Sequence, residues 1–272
     1  MFYQVNNLNL HVEMEGSGSP LLLLHGFTGS SHTWKPFIPF LSKKHTVIAI
    51  DMIGHGKSDA PHDPARYTLE KAADDTIALL DKMNIQTIHL LGYSMGGRLA
   101  LMIACRYPDR ISSLILESSS PGLKTEKERK ARRSSDEKLA AFIEEKGITA
   151  FVDYWENIPL FQTQKRVTLE EREKVRANRL QNRVHGLANS LRGMGTGRQP
   201  SLWSCLPALN MPCLLLAGEL DAKYVKIAKE MDKLLPRSNV TIFRDAGHTV
   251  HLEKSRPFVK TVAEFLHKIE VK

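Results

Sequence analysis

Apolar positions along the chain fall into short runs, separated by longer segments in which they recur every three or four residues. Phe2–Val5 and Leu8–Glu13, joined by Asn6-Asn7, read as a β-hairpin. Pro20–Leu24, Thr46–Asp51, Ile88–Leu91, Leu114–Leu116, Cys213–Ala217 and Val240–Phe243 are further strand signals. The later runs lack alternation, as expected of strands covered on both faces. Helical spacing fills the gaps. Leu69–Met83 carries Ala73, Ile77 and Leu80 on one stripe, Met95–Tyr107 is stopped by Pro108, and Pro257–Ile269 opens on a proline suited to a first helical turn. The pattern predicts an α/β fold with an eight-stranded, mostly parallel sheet and helices on both faces.

The region 121–200 breaks this rhythm. Thr125-Glu126-Lys127-Glu128 and Thr168-Leu169-Glu170-Glu171 each have the form of a capping box and each opens a charged helical segment, the first ending near Gly147. No strand signal intervenes. The expected organisation is a core domain from residues 1–120 and 201–272, with 121–200 as an all-helical cap inserted after the sixth strand.

Composition narrows the class. With 42% hydrophobic and 25% charged residues the chain reads as a globular protein, and no apolar run approaches the roughly 18 residues of a membrane span. Met1–Asn7 lacks a basic stretch followed by an apolar core, so no signal peptide is expected and a cytoplasmic location is implied. Cys105, Cys205 and Cys213 are odd in number and lie in or beside apolar stretches, which predicts reduced core thiols. No Cys/His cluster has metal-ligand spacing, and neither a metal nor another cofactor is expected.

The net charge is +8, and 121–200 alone holds 17 Lys+Arg against 11 Asp+Glu. Without a nucleic-acid motif or basic tail, this local excess argues against a nucleic-acid partner. It suits either a solvated surface or a pocket for an anionic small molecule. A monomer or small homo-oligomer is expected, with no membrane partner.

The chemistry centres on Gly92-Tyr93-Ser94-Met95-Gly96, directly after the run Ile85–Leu91. This G-x-S-x-G elbow sets a serine on a sharp strand-to-helix turn, where small neighbours let its hydroxyl project alone. A serine hydroxyl needs an imidazole to take its proton. His248, in the loop Asp245-Ala246-Gly247-His248 after the last strand, is the leading candidate, and His251 is its rival. His25 and His55 sit in Gly-flanked turns with structural explanations, and His89 is a further candidate. The imidazole in turn needs a carboxylate. Asp221 follows the seventh strand in Gly218-Glu219-Leu220-Asp221; Glu219 and Glu117 are alternatives, and Asp51 reads as structural. Charge developing on oxygen calls for backbone donors, for which the N–H groups of Met95 and of Phe27, in His25-Gly26-Phe27, are placed.

The order Ser94…Asp221…His248, with Asp51-Met52-Ile53-Gly54-His55-Gly56-Lys57-Ser58 as a D-x-x-G-x-G-x-S turn, resembles the α/β-hydrolase superfamily from Pro20 to the last helix. Ser94 excludes the members with a carboxylate nucleophile. Arg98 lies one turn beyond Ser94, where a simple ester hydrolase gains nothing from a guanidinium. Arg172, Arg176, Arg179 and Arg183 are spaced to share one helix face, bordered by Leu169, Leu180, Val184 and Leu187. Four like charges imply anionic partners, either glutamates of a neighbouring helix or substrate carboxylates.

Gly92-Tyr93-Ser94-Met95-Gly96-Gly97-Arg98 and Ala131-Arg132-Arg133-Ser134-Ser135-Asp136 together resemble the 2-succinyl-6-hydroxy-2,4-cyclohexadiene-1-carboxylate synthases of menaquinone biosynthesis. Asp153-Tyr154-Trp155, Arg179 with Asn182, and Gly218–Tyr224 fit as well. The resemblance implies a lyase that eliminates pyruvate from a tricarboxylate substrate. It assigns Arg98, Arg132 and Arg179 to carboxylates, with Arg133 as the alternative to Arg132, and places Trp155 and Tyr93 along the pocket. A carboxylesterase or C–C bond hydrolase acting on an anionic substrate explains the triad equally but leaves the arginines without a purpose. A non-catalytic binding protein on this scaffold has no need of the triad.

Overall fold

The computed structural model describes residues 1–271. Its strands are β1 (Phe2–Val5), β2 (Leu8–Glu15), β3 (Ser19–Leu24), β4 (His45–Ile50), β5 (Ile88–Tyr93), β6 (Ile111–Glu117), β7 (Cys213–Gly218) and β8 (Ser238–Phe243). They form one sheet in the order β1-β2-β4-β3-β5-β6-β7-β8. The pairs β1–β2 and β2–β4 are antiparallel and every later pair is parallel.

The helices are α1 (Ile38–Leu41), α2 (Leu69–Lys82), α3 (Met95–Arg106), α4 (Glu126–Trp155), α5 (Leu169–Leu180), α6 (Val184–Met194), α7 (Ala222–Asp232), α8 (Val250–Glu253) and α9 (Ser255–Glu270). Strand periodicity divides the core between them. Leu22 and Leu24 pack with Ala72, Leu99 and Met231 of α2, α3 and α7, whereas Leu21 and Leu23 pack with Ile38, Phe258 and Val262 of α1 and α9. All four leucines are fully buried, each worth about 1.5–3 kcal/mol of transfer free energy. Burial on both faces is why these strands read as unbroken apolar runs.

Between β6 and β7 the described residues form helices only: α4, the 3-10 segment Pro159–Arg166, α5, α6 and the 3-10 turn Leu206–Ala208. Both capping boxes close as their sequences predict, with Thr125 and Glu128 at α4 and Thr168 and Glu171 at α5. Gly147 has φ 77°, ψ 176° and splits α4 into two helical pieces, a conformation an L side chain resists. Phe151 and Val152 pack against Leu187 and Leu191 of α6 in a separate apolar cluster above the sheet. Arg192 of α6 grips Glu137 and Glu144 of α4.

Cys105 and Cys205 are not reduced thiols but a disulfide, with Cα atoms 6.1 Å apart. The chain, returning from the cap, lays Cys205 beside the end of α3, and a contact across 100 residues leaves no mark on local apolar pattern. Cys213 stays a buried free thiol, its pKa pushed up to about 12 by burial. The closed loop encloses β6 and the whole cap, so Cys205→Ser is expected to lower stability by about 2–5 kcal/mol. A melting temperature unchanged by the substitution and by reductant would show the bond contributes nothing.

Candidate active site

Ser94 sits where β5 ends and α3 begins, at φ 50° and ψ −105°, outside the conformations an L residue prefers. The turn is held by Ser94 N–H donating to the Glu117 carbonyl (2.8 Å) and by Arg98 N–H donating to the Ser94 carbonyl (3.1 Å). A Cβ on Gly92 would lie 2.4 Å from the Gly96 carbonyl oxygen, and one on Gly96 would lie 2.2 Å from that of Leu24. The two glycines of the motif are therefore steric requirements of the elbow.

His248 Nε2 is 3.0 Å from Ser94 Oγ, and its Nδ1 is 2.7 Å from Asp221 Oδ2. An ionised carboxylate only accepts, so Nδ1 carries the proton and Nε2 accepts from the serine. Both partners are buried, at 2% and 8% exposure. Asp221 caps α7, accepting from Tyr224 N–H (3.4 Å), and the Tyr224 ring lies 4.7 Å from that of His248.

The rival groups are engaged elsewhere. His251 Nδ1 lies within 2.9 Å of both Glu117 carboxylate oxygens, in a buried pair beneath the elbow. Glu219 accepts from Asp245 N–H. His89 bonds Ser113 (2.8 Å) at the opposite end of β5. Asp51 is structural: it accepts from the N–H groups of Ser31 and Lys57. Burial opposes its charge, but those N–H groups prevail and hold its pKa below the usual value.

The turn Gly26-Phe27 lies against the elbow, since a Cβ on Gly26 would be 2.6 Å from the Tyr93 ring and 3.6 Å from Ser94 Cβ. Buried His25 braces it: Nδ1 donates to the Gly26 carbonyl (2.8 Å) and Nε2 accepts from Met52 N–H (3.0 Å). Among the described residues no protein acceptor takes the N–H of Phe27 or of Met95. Overhead, Trp155 packs edge-on to Phe27 (5.4 Å) and against Phe161 (5.6 Å), which reaches His248 (6.0 Å). Trp155 Nε1 is a buried donor with no hydrogen-bond acceptor among the described residues.

Two cationic poles flank this centre. Arg98, 8% exposed, donates through Nη1 to the Met194 carbonyl (2.7 Å) and Gln199 Oε1 (3.1 Å). Among the described residues it has no carboxylate partner, and burial lowers its pKa to about 10. Arg132, whose charge also lowers the Arg98 pKa, bonds Asp136 through Nε (2.7 Å) and keeps a side chain 41% exposed. Arg133 instead turns to Glu126 and the Gly197 carbonyl. At the other pole Arg179, 7% exposed, contacts Glu156 and Gln164 (both 3.3 Å) and lies over the Phe161 ring. Tyr93 is buried, its hydroxyl 2.8 Å from Thr249 Oγ1, and burial raises its pKa.

The four-arginine helix face is a second correction. α5 ends at Leu180, so Arg183 leaves the helix and reaches the Ser58 carbonyl as the residue before α6. Arg176 takes Asp153 of α4 and Glu156 just beyond its end, the glutamate alternative raised by spacing. Leu169 is 62% exposed and belongs to no inward stripe.

Glu253 was not legible as a site residue. Its carboxylate accepts from Gly247 N–H (2.7 Å) and Thr249 N–H (3.3 Å), on either side of His248, and from Thr163 Oγ1 of the cap (3.0 Å). Five residues beyond His248, it has no distinguishing pattern; only the loop's fold-back gives it a role. Glu253→Gln keeps the shape but loses charge, and a roughly tenfold loss of kcat with little change in KM is expected. An unchanged kcat would show that the loop is held without it.

Residues 19–255 match the family described as alpha/beta hydrolase fold. A Bacillus subtilis protein named putative 2-succinyl-6-hydroxy-2,4-cyclohexadiene-1-carboxylate synthase is 47% identical, over 94% of this chain and 93% of its own. The Salmonella typhimurium synthase of the same name is 33% identical, over 92% and 94%. Among solved structures, MenH from S. aureus superposes with a TM-score of 0.91 at 37% identity, covering 96% of this chain and 98% of its own.

Proposed function

The chain belongs to the α/β-hydrolase family and, within it, to the 2-succinyl-6-hydroxy-2,4-cyclohexadiene-1-carboxylate synthases, and from that premise we propose how its residues release pyruvate. The enzyme is a lyase of menaquinone biosynthesis. It converts 2-succinyl-5-enolpyruvyl-6-hydroxy-3-cyclohexene-1-carboxylate to the named cyclohexadiene and pyruvate. The observation that carries this reading over ester hydrolysis is Arg98, a buried guanidinium one turn from Ser94 without a carboxylate partner among the described residues. Such a charge is costly unless an anion completes it.

Ser94 is the base, relayed to His248. Its oxygen takes the proton from the ring carbon next to the succinyl ketone while His248 Nε2 receives the hydroxyl proton, and Asp221 stabilises the imidazolium. The electrons of the broken C–H bond move onto the ketone oxygen, which the Phe27 and Met95 N–H groups hold. The enolate then collapses. The ring double bond shifts, the carbon–oxygen bond to enolpyruvate breaks, and the leaving group takes up at its methylene carbon the proton returned by the His248 imidazolium, becoming pyruvate while Ser94 and His248 regain their resting protonation. No acyl-enzyme forms.

Arg98 and Arg132 bind carboxylate at one end of the substrate and Arg179 at the other, which orients the ring over Ser94. Trp155 and Phe27 cover the ring, and Tyr93 lines the wall.

The test is direct assay with freshly prepared substrate, following pyruvate and diene absorbance together. Formation of both, well above the spontaneous rate, is expected. Hydrolysis of p-nitrophenyl esters without such acceleration would reassign the chain as a hydrolase of another anionic substrate.

A further inference from the structure

A pocket of about 410 Å³ opens in the cap, lined by neither Ser94 nor His248. Lys165 of the 3-10 segment and Arg172 of α5 stand on its wall together with Arg179 and Glu156. The Glu156 carboxylate is already shared by Arg176 (2.8 Å) and Arg179 (3.3 Å). Among the described residues neither Lys165 nor Arg172 has an ion-pair partner. Three cations and one committed carboxylate leave the lining net positive. Val175 and Leu252 add apolar surface, a mix that suits a small molecule with a short carbon chain and an anionic end.

We propose that this pocket is a second binding site, for a small carboxylate held by Lys165 and Arg172. Its size lies within the range of small-molecule sites. A carboxylate here makes charge-assisted bonds to two side chains that have no ion-pair partner among the described residues.

The wall it shares with the catalytic centre is one side chain thick. Phe161 lines the pocket and also packs on His248 (6.0 Å), with the Arg179 guanidinium over its ring (5.3 Å). Gln164 accepts from Arg179 through Oε1 (3.3 Å) and donates through Nε2 to Thr249 Oγ1 (2.7 Å), next to His248. A carboxylate in the pocket competes with Glu156 and Gln164 for Arg179, so its arrival is felt at the His248 loop. Two sources share this chemistry: the carboxylates of substrate and product in transit, or an independent carboxylate metabolite. The transit source rests on the lyase reading; the site itself does not.

Calorimetric titration of the whole protein with succinate at low ionic strength tests the site. Saturable binding is expected in the wild type and in Ser94→Ala. The double substitution Lys165→Ala and Arg172→Ala, both on exposed side chains, is expected to weaken it at least about tenfold. Lys165→Arg with Arg172→Lys should restore it. No binding to the wild type, or equal binding to the double alanine variant with its circular dichroism unchanged, overturns the proposal. Kinetics then separate the sources. A raised KM at constant kcat in the double variant marks transit; a succinate effect on wild-type kcat that the double variant loses marks an independent metabolite. Because binding requires no turnover, a failed lyase assay leaves the titration to be judged by itself.

Discussion

Ser94→Ala is expected to reduce turnover about 10²–10⁴-fold, to the spontaneous background, without loss of folding. Among the described residues the serine side chain makes one hydrogen bond, to His248, and alanine keeps its Cβ. Its φ of 50° strains serine and alanine alike, so the melting temperature should hold. His248 without Ser94 remains a base, but its nitrogen stands back from the atom the serine oxygen would have touched. Retention of activity within about tenfold would place the proton-abstracting group elsewhere, since general-base contributions start near 10²-fold. The variant should still bind substrate, which makes it suitable for measuring affinity without turnover.

Arg98→Met should cost the next most. The substitution keeps much of the buried volume and removes the charge. Charge-assisted hydrogen bonds contribute about 1.5–3 kcal/mol each, so kcat/KM should fall roughly 10–150-fold. Arg132→Ala is expected to fall at the low end of that range, because its side chain is 41% exposed and water screens its contact. Arg98 also ties α3 to the Met194 carbonyl, so thermal unfolding of the variant must be measured beside its kinetics. If Arg98→Met unfolds normally and retains wild-type kcat/KM, the guanidinium serves only to hold α6 against the core. Arg98→Lys separates charge from fork: partial recovery means charge attracts the substrate, and none means that two parallel N–H donors are required.

The strand pattern was legible because burial on both faces demands apolar residues at every position. Where that demand is relaxed, the edges blurred. Leu114–Leu116 reads as the sixth strand, yet β6 begins at Ile111 because Ser113 is satisfied by the buried His89 ring. β8 likewise begins at Ser238, on a partly covered edge. The elbow was legible for a steric reason, since glycine alone fits at 92 and 96. The chain order of Ser94, Asp221 and His248 followed from loops at the ends of β5, β7 and β8.

What local pattern does not encode is which side chains meet across the chain. His248 and His251 are three residues apart in similar surroundings, and the sharp loop that Glu253 clamps sends one to Ser94 and the other to Glu117. Helical spacing places Arg183 with Arg172, Arg176 and Arg179, but the helix stops at Leu180, so Arg183 turns to the Ser58 carbonyl, Arg176 to Asp153 and Arg179 to Glu156 and Gln164, while Arg172 has no ion-pair partner among the described residues. Cys105 and Cys205 met only when the cap's return path crossed α3. Sequence alone determined the sheet, the capped helices, the elbow and the types of residue its chemistry needs, because each follows from near neighbours: burial period, capping and steric fit. Only the tertiary structure decided which histidine and carboxylate meet Ser94, which partners the arginines take and which cysteines pair, because the triad and cysteine contacts join residues 27 to 154 positions apart, brought together by the packing of the whole chain.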